Sequence, residues 1–508
     1  MLRAHQQTTE IFKGVRFGLE KESLRTTQEG TLALTPHPRA LGATLTHPWL
    51  TTDYAECLME FITPPLATPE AVLAWLHKLH CFVYQHLEAE YLWAPSMPCR
   101  LGADDTIPIA EYGSSNLGQM RHIYRRGLGY RYGRRMQCIA GIHFNYSLAQ
   151  PFWSVWQKIL HLTDSPLQKT IDTGYFAMMR NTSRMVWMIP YLLGASPALD
   201  ASFLTPEQSA ENLTLLNFHD QTYYAPYATS LRMSDLGYQN KTQSRVSISW
   251  NNVDEYVRDL SKAIETPYLP YEKITLQHGS QAQLNANILQ IEAEYYAPIR
   301  PKRIARTGTR PSKALNAQGV EYIELRAIDI NPYLPLGIDL PTLYFLEIFL
   351  LWCLIAESPP LLAVEKAHIA EQLQTVVREG HSATHHAVLA AQAERIFEDL
   401  LKIAVLRDTE VLGTPYQDAI HYFEHRFKHL DSSPAAQSLA DMRTHNQSFL
   451  EFGLKQSIAH KAYFKTLPCH PPQKLELEML AQYSLQERER LEREEKMSFK
   501  DYLGRYFA

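Results

Sequence analysis

Glu20 and Glu22 stand two residues apart in Arg16-Phe-Gly-Leu-Glu-Lys-Glu-Ser-Leu-Arg25. Val15, Phe17 and Leu19 alternate there with Arg16, Gly18 and Glu20. That is a strand pattern, and side chains two apart on a strand share a face. The two carboxylates therefore repel each other. At about 4 Å and an effective dielectric near 20, the cost is roughly 4 kcal/mol. Solvent, a basic partner or a metal must offset it. An exposed edge strand is the plain reading and a metal-bearing sheet face is the chemical one.

Other stretches repeat the property. Leu58 to Thr63 reads as a strand carrying Glu60, preceded by Asp53 in Thr51-Thr-Asp-Tyr54. Gln137 to Leu148 sets Ile142, Phe144 and Tyr146 against His143, Asn145 and Ser147. Asn287 to Tyr296 is expected as a strand presenting Glu292 and Glu294, and Tyr322 to Asp329 as one presenting Glu324 and Arg326. Arg245 to Asn251 alternates in the same way. A sheet face rich in carboxylates, with one imidazole, suits Mg²⁺ or Mn²⁺. No G-x-x-x-x-G-K-[ST] stretch is present. A nucleotide would therefore be held by metal and by arginine, for which Arg125, Arg232 and Arg326 are the candidates.

Arg121 to Arg135 carries six arginines interleaved with Tyr124, Tyr130 and Tyr132. Such a run could stack and clamp a single strand of nucleic acid, or bind a phosphate or carboxylate. The patch is local and the chain carries a net charge of -5, so no nucleic-acid partner is expected.

The elements that must position these groups fall into two regions. Residues 1–340 mix strands with helices, and residues 341–508 read as helical and packed on the first region as part of one domain. Thr68-Pro-Glu70 and Thr205-Pro-Glu207 carry helix-start signals. Helices are expected over 253–264, 340–356, 363–379, 386–405, 413–430, 434–457 and 472–494. The charged run Glu487 to Lys496 reads as a solvated helix with little tertiary role. The apolar run at 340–356 includes Glu347 and is short of the ~20 residues that span a bilayer. No membrane association is expected. Six scattered cysteines without a CxxC pair fit a reducing, cytoplasmic setting.

Seven ordered stretches carry a resemblance. They are Gly18-Leu-Glu-Lys-Glu-Ser-Leu-Arg25, Thr46-His-Pro-Trp-Leu-Thr-Thr-Asp-Tyr54, Leu58-Met-Glu-Phe-Ile-Thr-Pro64, Gly141-Ile-His-Phe-Asn145, Pro226 to Tyr238, Gln290 to Lys302 and Glu321 to Pro332. Together they resemble the proteobacterial glutamate–cysteine ligases. The resemblance implies an α+β fold: a curved antiparallel sheet forming a funnel of the glutamine-synthetase-like type. It implies ATP-dependent joining of the glutamate γ-carboxylate to cysteine through a γ-glutamyl phosphate, with Mg²⁺ or Mn²⁺ as cofactor. By position, Glu20, Glu22, Asp53, Glu60, His143 and Glu324 look like the metal ligands. Tyr54, Tyr124, Tyr238 and Tyr296, with Asn145, look like substrate-side residues. Arg125, Arg232 and Arg326 look like the groups that engage glutamate or phosphoryl oxygens. The resemblance also implies feedback inhibition by glutathione. A monomer is expected, and the lack of room for an ATP-grasp domain argues against the fused, two-step form. After Glu379-Gly380 the chain reads His-Ser-Ala-Thr-His-His and departs from the family pattern.

Overall fold

The computed structural model describes residues 11–205, 208, 214–237, 246–279, 281–305, 308–467 and 471–508. In chain order the strands are β1 (Arg16–Thr26), β2 (Leu50–Thr52), β3 (Leu58–Ile62), β4 (Tyr91–Leu92), β5 (Ile142–Ser147), β6 (Ala198–Asp200), β7 (Leu216–Asn217), β8 (Thr222–Tyr224), β9 (Ile299–Lys302) and β10 (Tyr322–Ile328). Seven of them form one antiparallel sheet in the order β2-β3-β1-β5-β10-β9, with β4 paired to β1. The strands β6, β8 and β7 form a small second sheet. β1 therefore lies between β3 and β5 and is no edge strand, which removes the exposed-edge reading of Glu20 and Glu22.

Alternation along β1 sends Phe17, Leu19 and Lys21 into the core and Gly18, Glu20 and Glu22 to the opposite face. The helices Pro69–His86, Leu167–Arg184 and Leu340–Ile355 pack behind the sheet. The first starts where its sequence signal places it, with the Thr68 hydroxyl accepting the Ala71 amide. The 253–265 helix also matches expectation. Of the second start signal, Pro206 and Glu207 lie outside the described residues. No described helix is long and apolar enough to cross a membrane.

Three expectations fail away from the acidic face. Residues 246–250 are irregular and form no strand. The segment expected over 434–457 is two helices, Pro434–Thr444 and Phe449–Thr466. The break comes at Asn446, which adopts φ 48°, and Ser448 with Glu451 forms a capping box that opens the second helix. The charged C-terminal run is not merely solvated. The Glu492 carboxylate accepts the Ser114 amide at 2.8 Å, and Glu495 accepts the Asn116 amide at 3.3 Å, at the start of the Asn116–Tyr132 helix. Carboxylates placed there satisfy amides that lack a partner within the helix.

Lys21 is buried without a carboxylate partner among the described residues. Its ammonium lies 2.9 Å from His80 Nε2, while His80 Nδ1 is 2.9 Å from the Leu76 carbonyl. The carbonyl can only accept, so Nδ1 carries the ring proton and Lys21 donates to Nε2. Burial brings the lysine down to about 7 from 10.5. Between those values the unfolded chain holds a proton that the folded chain does not. Stability conferred by the neutral amine is therefore lost as pH falls from 10.5 towards 7 and levels off below. Lys21→Met is expected to raise stability by roughly 2–4 kcal/mol at neutral pH, net of one lost hydrogen bond. In urea unfolding the gain should shrink as the pH approaches 10. A gain that does not change with pH would refute this account.

Candidate active site

Neighbouring strands bring the acids together. Across β1 and β5, Glu20 faces His143 and Gly18 faces Asn145. Across β1 and β3, Glu22 faces Glu60, and across β5 and β10, Asn145 faces Glu324. β9 then places Arg300 opposite Glu324. The result is a cavity of about 270 Å³ on the face opposite the packed helices. Glu20, Glu22, Asp53, Glu60, His143 and Glu324 all line it, as do Tyr54, Tyr124, Tyr296, Arg125, Arg232 and Arg326. Tyr238 lies outside the described residues.

Within the cluster, Glu20, His143 and Glu324 each offer a donor atom, and these atoms lie within 4.8 Å of one another. His143 Nδ1 is 3.0 Å from Glu20 Oε2 and 3.9 Å from Glu324 Oε1. Asn145 does not line the cavity. It donates to Glu20 Oε1 at 2.9 Å and so fixes that carboxylate from below. The Gly141 amide donates to Glu22 Oε2 at 2.8 Å.

The electrostatics divide the carboxylates. Burial works against ionisation of Glu324, but Lys302 at 2.9 Å and Arg326 at 3.1 Å hold it well below the usual range. Burial and then Glu324 oppose ionisation of Glu20, but the hydrogen bond and charge of His143 together with Lys302 outweigh them, so its carboxyl is lowered. Burial pushes Glu22 up, and Asp53 adds to this. Glu60 is pushed well up by burial and then by Glu20, Asp53 and Glu22. One side of the funnel is thus balanced by protein cations, while the Glu22–Asp53–Glu60 side carries more negative charge than its surroundings compensate.

The arginines are fixed by backbone. Arg125 Nε donates to the Asp53 carbonyl, and its guanidinium lies 4.6 Å from the Tyr112 ring centre. Arg232 Nη2 donates to the Arg326 carbonyl at 2.9 Å. A Cβ at Gly141 would sit 2.0 Å from Arg232 Nη2, so this guanidinium requires glycine there. Several buried polar atoms of cavity-lining residues have no hydrogen-bond partner among the described residues: the Tyr54 hydroxyl, Arg326 Nε and Arg300 Nε. Buried polar atoms ordinarily have partners, so these are open to a ligand.

Two expected members are elsewhere. Glu292 and Glu294 form a 3-10 turn, Glu292–Glu294, instead of a strand face. Glu294 pairs with Arg131 at 2.9 Å, with both side chains fully buried, and accepts the Gln290 amide at 2.7 Å. Glu292 pairs with Arg310 at 2.8 Å. The Arg-rich run is likewise turned inward. Arg134 Nη1 donates to the Ile107 carbonyl and Arg135 Nη1 to the Leu204 carbonyl, both at 2.8 Å. Conversely, Arg300, Lys302 and Gln137 line the cavity and were not singled out from sequence. Arg300 and Lys302 stand two apart, a signal that the intervening Pro301 obscures.

A sequence profile described as Glutamate-cysteine ligase matches residues 1–376. The chain is 45% identical over 507 residues to the glutamate–cysteine ligase of Alcanivorax borkumensis, covering 97% of this chain and 96% of that protein. It is 45% identical over 512 residues to that of Pseudomonas entomophila, covering 98% and 95%. Among solved structures, the Francisella tularensis glutamate–cysteine ligase in complex with AMP superposes with a TM-score of 0.89, at 32% identity and 97% coverage of both chains. A bifunctional glutathione synthetase from Pasteurella multocida shares the fold at a TM-score of 0.71 and 23% identity, with 54% of its length covered. With a funnel-shaped acidic site on an antiparallel sheet and near full-length relatives of one kind, the chain belongs to the glutamate–cysteine ligase family.

Proposed function

We propose that this protein joins the γ-carboxylate of L-glutamate to the amine of L-cysteine with ATP, the first step of glutathione synthesis. The observation that carries the reading is the Glu20–His143–Glu324 cluster set beside Arg326 and Lys302 in one cavity. A carboxylate is a poor electrophile until it is phosphorylated, and phosphoryl transfer asks the protein mainly for positioning and charge neutralisation. Oxygen donors with one imidazole fit Mg²⁺ or Mn²⁺. Glu20, His143 and Glu324 would hold one ion, and Glu22, Asp53 and Glu60, whose charges reinforce one another, would hold more. When bound, the ions neutralise phosphate charge.

The remaining steps belong to the chain's own groups. Arg326 engages the phosphoryl group in transfer, and its unpartnered Nε supports that role. Arg125 and Arg232 orient glutamate or phosphoryl oxygens. Tyr54, Tyr124 and Tyr296 wall the cysteine side and exclude water from the acyl phosphate, and the family resemblance assigns Tyr238 to the same substrate. The cysteine amine then displaces phosphate. Glutathione contains the product as a substructure and would compete for the same cavity. We read the protein as a monomer, and we place it in the cytoplasm, a setting that the buried thiols of Cys57, Cys99, Cys138 and Cys353 support.

The test supplies ATP, Mg²⁺ and glutamate with or without cysteine and follows ADP release and γ-glutamylcysteine. Cysteine-dependent release is expected. Release with another amine but not cysteine would redirect the acceptor assignment, and no turnover with any amine would end the ligase reading.

A further inference from the structure

A second cavity, of about 530 Å³, lies between the starts of the Asn116–Tyr132 and Pro311–Gln318 helices and the C-terminal helix Phe499–Phe507. Arg310 lines it with its side chain only 4% exposed. Its Nε is held by Glu292 at 2.8 Å and its Nη1 lies 4.0 Å from Glu265, but its Nη2 has no partner among the described residues. A buried guanidinium nitrogen left without a partner carries a desolvation cost. Lys313 and Arg505, both exposed, stand at the same cavity, with hydroxyls from Ser115 and Thr309. The one carboxylate lining it, Glu495, is engaged with the Asn116 amide. Leu117, Leu491 and Tyr502 supply apolar wall. Two exposed cations stand beside the Glu292-paired Arg310 and one carboxylate around a partly apolar space that falls within the size range of small-molecule sites.

From this juxtaposition we propose that the cavity binds a small organic anion, with its carboxylate or phosphate head on Lys313 and Arg505 beside the Arg310 guanidinium and its body against Leu117, Leu491 and Tyr502. The site is separate from the acidic funnel, whose lining it does not share. The Glu292–Glu294 turn touches both: Glu292 holds Arg310, and its neighbour Ala293 lines the funnel. A guanidinium matches either head group with paired hydrogen bonds.

Phenyl phosphate, benzoate and inorganic phosphate, each titrated calorimetrically into the full chain, test the assignment. Binding of phenyl phosphate or benzoate is expected at one site that the double variant Lys313→Ala/Arg505→Ala weakens by about tenfold or more, for loss of two charge-assisted contacts. Tighter phenyl phosphate identifies a phosphate head, and tighter benzoate a carboxylate head. Both variant positions are exposed, so folding is preserved, and Arg310→Met provides a second, stronger loss. Equal affinity in the wild type and the double variant, or no binding of either aromatic anion, would overturn the proposal.

Discussion

Glu324→Gln is expected to abolish measurable turnover, a loss well beyond the roughly 10–100-fold typical when only a supporting partner of a metal ligand is removed. Glu324 is 1% exposed and is the one carboxylate in the funnel contacted by Lys302, Arg326 and His143 together. Its lowered proton affinity keeps it ionised at any working pH. The amide keeps the shape but lacks the charge a divalent cation needs. Glu20→Gln should behave alike, since Glu20 shares the same donor cluster. In both variants the fold should persist, because β1 and β10 are interior strands held by paired neighbours. The measurements are kcat for cysteine-dependent ADP release over a Mg²⁺ titration, beside circular dichroism. Near-normal turnover in both variants would refute the metal-ligand assignment.

Arg407→Leu is expected to cost about 3–5 kcal/mol of stability, the range for stranding one member of a buried ion pair. Its partner Glu347 is fully buried in the Leu340–Ile355 helix and is contacted by Arg407 Nε at 2.9 Å, the Tyr146 hydroxyl at 3.2 Å and the Tyr416 hydroxyl. These groups come from the sheet, from the helix behind it and from two C-terminal helices. Adding Glu347→Gln to Arg407→Leu should restore much of the loss, because the uncompensated charge is then gone. Denaturant unfolding of the wild type, the two single variants and the double variant gives the coupling directly. We propose that residues 1–340 and 341–508 unfold as one unit. A single shifted transition is the expected form, and two separate transitions would contradict it. A loss under about 1 kcal/mol would mean that the pair contributes no more than a surface contact.

Strand faces are written locally. Period-two alternation needs only neighbouring residues, and it assigned Glu20, Glu22, His143 and Glu324 to one kind of face without knowledge of strand order. The first helix start was legible for the same reason: the Thr68 cap acts within three residues. The resemblance in seven ordered stretches then carried the family and the expected ligand set. Local pattern misled at Glu292 and Glu294. Their alternation is real, but distant cations on Arg131 and Arg310 claim both carboxylates and the backbone turns. No nearby residue announces those partners.

By itself, then, the sequence determined which residues alternate, where helices begin, and the family to which the ordered motifs belong. Only the tertiary structure decided that β1 is an interior strand, that Arg300 and Lys302 join the funnel through pairing of β9 with β10, and that the charged tail caps the Asn116–Tyr132 helix. The physical reason is range. Torsional preference and side-chain periodicity act over a few residues, whereas the cost of a buried charge is settled by whichever partner the fold brings near, however distant along the chain. For Glu20 and Glu22 both levels were needed: alternation set them on one face, and the flanking strands supplied His143, Glu324 and Glu60 beside them.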